Sequence, residues 1–98
     1  MNNHTPGPWT LEEHRAHWTS YIVRGGPMQN QIAQCFNWQD KGFDVSSEEN
    51  ARLIAAAPDL LEALELALLV IEATGPGVYH DAERQMRKAI AKAKGETQ

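Results

Sequence analysis

The order of apolar and polar positions changes character once along the chain, at about Ser46. Before it, the pattern is short and two-residue, the signature of strands whose two faces differ. Trp9 and Leu11 share a face just after Pro6-Gly7-Pro8, a segment that cannot continue a helix. Between Trp18 and Arg24, Tyr21 and Val23 point one way while Trp18, Ile22 and Arg24 point the other. Between Asn30 and Trp38, Ile32, Phe36 and Trp38 fall on one face, with Ala33 and Cys35 on the opposite one. Gly25-Gly26-Pro27 supplies the turn between these runs, since glycine tolerates positive φ and proline ends a ladder. The pattern predicts a three-stranded antiparallel β-meander over residues 1–40, with one face in need of cover.

From Ser46 the period becomes helical. Ser46 and Glu49 have the spacing of a capping box, in which each side chain takes an orphan backbone N–H. Pro58 lacks an amide hydrogen and crowds the preceding turn, so residues 46–74 read as one kinked or restarted central helix. Gly75-Pro76-Gly77 stops it. A last helix over 81–94 carries a narrow stripe of Ala82, Met86, Ala89, Ile90 and Ala93. The expected architecture is α+β in a single domain, 1–98. The N-terminal three-stranded meander is followed by two to three α-helices packing on one face.

The central helix holds more leucine than such a sheet requires. At ~100° per residue, Leu60, Ala63, Leu64, Ala67, Leu68 and Ile71 make one broad apolar face. Leu66 and Leu69 fall on the other side, among Glu62, Glu65 and Glu72. Either the last helix packs over those two leucines, or they belong to a self-association surface, and the two are compatible. The expectation is a homo-oligomer with Leu60, Leu64, Leu66, Leu68, Leu69 and Ile71 at the contact.

Composition narrows the class. The chain has 98 residues, 42% of them hydrophobic, a net charge of -4 and one cysteine. One cysteine forms no internal disulfide, which points to a reducing, intracellular setting. No apolar run reaches the ~18 residues of a membrane span, and the N-terminus lacks the basic and apolar regions of a signal peptide. The charge is segregated: residues 40–73 hold eight acids and two bases, and residues 74–98 hold five bases and three acids. Such halves attract one another, within a chain or between copies.

Candidate chemistry is sparse. His14 and His17 make an H-x-x-H without further ligands at metal spacing, and residues three apart on a strand face opposite ways. Cys35 has no surrounding nucleophile signature, and the glycine pairs match neither a P-loop nor a dinucleotide fingerprint. Glu48 and Glu49 read as acids at a helix start. A non-enzyme without metal or cofactor is therefore expected. The aromatic residues are more suggestive. Most of them read as the core of a small sheet, but Trp9 and Trp38 near chain turns, with Arg24 and Arg52, offer stacking faces and cations for a base and a phosphate. Arg52 has an alternative role, fixing the junction between sheet and helix by bonding to loop carbonyls. The basic last helix is diluted by Asp81 and Glu83 and has no aromatic residue, which argues against nucleic acid as the partner.

Three stretches carry a resemblance: His4-Thr5-Pro6-Gly7-Pro8-Trp9, the long run from Asn50 through Pro58-Asp59 to Leu64, and the closing Ala89-Ile90-Ala91-Lys92-Ala93-Lys94-Gly95. Together they resemble a widespread family of small bacteriophage and prophage proteins, over most of the chain. No catalytic or binding residue carries across. The resemblance implies context: a phage-encoded accessory protein acting in the host bacterial cytoplasm. By analogy with small non-enzymatic phage proteins, it would counter host defence. Three modes follow: a homo-oligomer that sequesters a nucleotide-type immune signal, a protein-only inhibitor that binds a host defence effector through its acidic surface, or a small nucleic-acid-binding regulator using the basic last helix.

Overall fold

The computed structural model describes residues 4–15, 19–36, 47–75 and 77–96. The fold is α+β: a three-stranded antiparallel sheet followed by three helices. The chain divides into two compact units, Thr5–Pro58 and a second that runs on from Asp59.

In the first unit, β1 (Thr10–Arg15), β2 (Thr19–Gly25) and β3 (Asn30–Phe36) pair in the order β1-β2-β3. Leu11 faces Val23, Glu13 faces Tyr21, and these in turn face Ala33 and Cys35. All six side chains therefore share one side of the sheet. Helix α1 (Ser47–Ala55) lies against the sheet and touches all three strands. Ser47 and Ala51 are buried on it, and Ile54 and Ala55 pack on the core, a stripe at i, i+4, i+7 and i+8. Val23, at 0% exposure, is the centre. Its full burial contributes roughly 1.5–3 kcal/mol.

Trp9 closes one end of this core. Its indole donates from Nε1 to the Thr5 carbonyl at 3.0 Å, and its ring lies over Gly25, where any Cβ would overlap it. The β2–β3 turn that follows uses Gly26 at φ +80°, with the Gln29 amide donating to the Gly26 carbonyl at 3.1 Å.

One expectation of the alternating pattern fails at Ile32. Strict parity puts it with Phe36, away from Ala33 and Cys35, yet it packs on the same core as they do. The register explains this. Val23 faces Ala33 whereas Arg24 faces Gln31, so β3 carries Ile32 as an extra residue in a bulge. Trp18, Trp38 and Ser46, with the capping box it would form, lie outside the described residues.

The helical stretch expected over 46–74 divides at Ala56, between α1 and α2 (Ala57–Thr74). The Ala56 amide still donates to the Arg52 carbonyl at 3.0 Å. Pro58 is the second residue of α2, where a missing amide hydrogen leaves no intrahelical bond unmade.

In the second unit, α2 is followed by α3 (His80–Ala93), with Gly75 and Gly77 at φ +128° and +85° between them. Two ion pairs join the helices: Arg87 with Glu72, and Lys94 with Glu65 at 2.7 Å. Moving seven residues back on α2 answers moving seven forward on α3, so the hairpin is antiparallel. The far end of α3 closes as a Schellman motif, with Glu96 and Gly95 amides donating to the carbonyls of Ala91 and Lys92 and Gly95 at φ +74°. The stripe expected on α3 is rotated. Its large members Met86 and Ile90 are half-buried, but Ala82, Ala89 and Ala93 are exposed, and Ala91, outside the expected stripe, is the buried residue. The ion pairs select the side of α3 that carries Arg87, Ala91 and Lys94, and alanine spacing alone does not reveal it.

Gly25→Ala forces the Trp9 indole off its seat, and overpacking of this kind costs about 1–3 kcal/mol. Urea unfolding followed by tryptophan fluorescence measures it, and an unchanged midpoint would show that the ring does not rest on Gly25.

Candidate functional site

The strand face opposite α1 is polar. Thr10, Glu12 and His14 of β1 lie beside Arg24, Ile22 and Ser20 of β2, with Gln34 and Phe36 of β3 completing the row. Ser20 and Ile22 are buried there. Arg24 Nε donates to Glu12 Oε2 at 2.6 Å, and His14 Nε2 lies 3.1 Å from Glu12 Oε1. Gln34 donates to the Ser20 hydroxyl at 3.2 Å. The Arg24 guanidinium, and after it His14, holds the Glu12 carboxyl below the usual carboxylate range.

A second constellation ties the strands to α1. The Tyr21 hydroxyl donates to Glu48 Oε1 at 3.2 Å, with Glu13 Oε1 at 3.5 Å. Arg15 pairs with Glu13 at 3.2 Å, and Arg52 pairs with Glu48 one turn earlier on its own helix. A phenol has one proton and serves one carboxylate at a time. Burial pushes the Tyr21 hydroxyl up, and the Glu48 charge adds to the shift.

The four residues expected to hold a ligand do not converge. Trp9 is half-buried against the core on the α1 side, and Arg24 lies on the opposite side of the sheet. Arg52 is exposed on α1 and pairs with Glu48, and the loop before α1, whose carbonyls are its expected partners, lies outside the described residues. Trp38 lies outside the described residues. Cys35 is half-buried beside Tyr21. Among the described residues no three His, Cys, Asp or Glu side chains are placed to hold a metal ion, and no helix is long and apolar enough to cross a membrane.

The interface residues separate into two arcs of α2. Leu64, Leu68 and Ile71 are half-buried, whereas Leu60, Leu66, Leu69 and Val70 are exposed. No residue of α2 is fully buried. Of the two explanations for Leu66 and Leu69, cover by the last helix is not what the structure has: they remain 57% and 62% exposed. α3 instead meets the side of α2 that carries Glu65 and Glu72. The contact between acidic middle and basic tail is thus made within the chain at these pairs. Charge segregation signalled the attraction, and the matched seven-residue spacing was the unread clue to its register. At the start of α3, a depression is lined by His80, Glu83, Arg84 and Arg87. Arg84 Nη2 there lies 2.9 Å from His80 Nε2.

Two pH effects follow. Stability drawn from a neutral Tyr21 is complete below its ordinary pKa near 10.0 and is lost as pH rises through the raised value. Tyr21→Phe is expected to flatten the alkaline fall in the urea midpoint. Glu12 acts in the opposite sense: its contribution is present above the usual carboxylate range and is lost as pH falls through the lowered value. Glu12→Gln is expected to flatten the acid limb, and an acid limb identical to wild type would deny the Arg24 pair its role.

Neither a curated protein nor a solved structure matches the chain significantly. A family model does match, over residues 1–97, nearly the whole chain. The chain belongs to the family described as Salmonella phage P22 protein Y8K6.

Proposed function

We propose that this phage protein acts without catalysis, in the host bacterial cytoplasm, as a homo-oligomer that counters anti-phage defence by holding a nucleotide-type immune signal. The observation that carries the reading is uncovered leucine on one side of α2: Leu66 and Leu69 are each more than half exposed on a helix that buries no residue fully. A surface of that kind on a small protein is a binding surface. Pockets between subunits suit small ligands, and Arg24 and Arg52, on different faces of the first unit, each offer a cation to a phosphate. Arg24 and Arg52 are held by Glu12 and Glu48, so a phosphate binds by displacing a carboxylate, and its affinity is salt-sensitive.

Inhibition of a host effector through an acidic surface is the weaker reading. Glu48, Glu65 and Glu72 each have a basic partner, which reduces the field such a mimic would present. A regulatory contact with nucleic acid draws support from Lys88 and Lys92, which have no ion-pair partner among the described residues, and a gel shift at moderate salt tests it.

Thermal-shift and calorimetric titrations with cyclic oligonucleotides and ADP-ribose derivatives test the leading reading. A true ligand at a hundredfold its Kd stabilises the fold by about 2.7 kcal/mol, and Arg24→Ala and Arg52→Ala weaken the response. Uniformly flat titrations would remove nucleotide capture.

A further inference from the structure

The α2–α3 hairpin has two sides, and its ion pairs define them. Glu65 and Glu72 mark the direction from α2 to α3, because seven residues are close to two turns. At ~100° per residue, one side of that direction on α2 carries Leu69, Glu62, Ala73, Leu66, Val70 and Ala63 in turn. In an antiparallel pair, equal rotations on the two helices reach the same side, so Arg84, Lys88 and Lys92 of α3 border this surface. Leu66, Leu69 and Val70 are 57%, 62% and 66% exposed on it.

Within this surface, Ala63, Leu66, Val70 and Ala73 follow one another at spacings of three, four and three, the repeat of a two-helix seam. Their sizes run small, large, large, small. In a two-fold contact between antiparallel copies each position meets its counterpart across the centre whatever the sequence, so here large meets large and small meets small. We propose that a second copy of this chain occupies the seam, with the two α2 helices antiparallel. Leu66 then meets Val70 of the second copy, and Ala63 meets its Ala73. This sharpens the homo-oligomer reading above and rests on it.

Charge selects the same partner and orientation. Asp59 continues the seam one step towards the N-terminus. A parallel pair would set the two Asp59 carboxylates against each other, and an antiparallel pair separates them. Glu62 flanks the seam on the side towards α3 and has no ion-pair partner among the described residues. The two-fold centre falls at position 68, which brings Glu62 level with position 74 of the other α2. The Glu72–Arg87 register places the Arg84 turn of α3 beside that level. Arg84 has the His80 ring as its hydrogen-bonding partner and no acidic partner among the described residues, so its charge is available to Glu62 of the other copy, twice by symmetry.

The full-length protein tests this directly. Light scattering at high micromolar concentration is expected to show a dimer, and Leu66→Asp or Val70→Asp to give a monomer with unchanged far-UV circular dichroism. Glu62→Arg is expected to weaken dimerisation about tenfold by replacing attraction with repulsion at two sites, and Glu62→Arg with Arg84→Glu to restore it. In a Cys35→Ser background, chains with Leu66→Cys and chains with Val70→Cys are expected to form disulfides when mixed and not separately. Disulfides within either variant alone would overturn the antiparallel arrangement. A dimer that survives Leu66→Asp and Val70→Asp would overturn the seam and leave the homo-oligomer reading standing. A strictly monomeric wild type would overturn both.

Discussion

A small sheet with two different faces must cover the apolar one, and the first unit is organised by how that is done. Three short strands give too little internal burial to persist in water unless another element lies over them. Helix α1 does so through small residues: Ala51 is fully buried over Val23, and Ser47 is buried a turn earlier. Close approach then places the first turn of α1 at the rim of the sheet, where Glu48 reaches the Tyr21 hydroxyl. It also assigns the charged residues Glu12, His14 and Arg24 to the other face, where they pair with one another. A larger residue at Ala51 would lift the helix and loosen both polar groups together.

The second unit is built differently. Its helices are joined by ion pairs whose members are all at least one-third exposed, a kind of contact that contributes little free energy in water. Such pairs set register more than stability. Apolar surface is left over on α2 in consequence, and this leftover surface is what the functional reading depends on.

Much of this was legible in the chain. The alternating pattern, the glycine turn and the change of period at Ser46 led to the meander and the helices that follow it, because burial on one face imposes those periods. Three matters were not legible. Ile32 changed sides because a bulge depends on pairing between strands, which no single strand records. The buried side of α3 turned from Ala82, Ala89 and Ala93 towards Ala91, between Arg87 and Lys94, since charged partners on another helix lie there. Trp9 and Arg24 were grouped by residue type, whereas the sheet separates them onto different faces. Proximity in sequence and suitable chemistry do not by themselves make side chains converge.

The extra residue at Ile32 has a bearing on how this chain can change. In β1, gaining or losing one residue would turn every later side chain to the wrong face. In β3 the surplus residue is already accommodated, so a deletion beside it can erase the bulge and leave the remaining strand in step. The β2–β3 hairpin is thus the part of the sheet where length can drift between relatives at least cost, while β1 is held to its count.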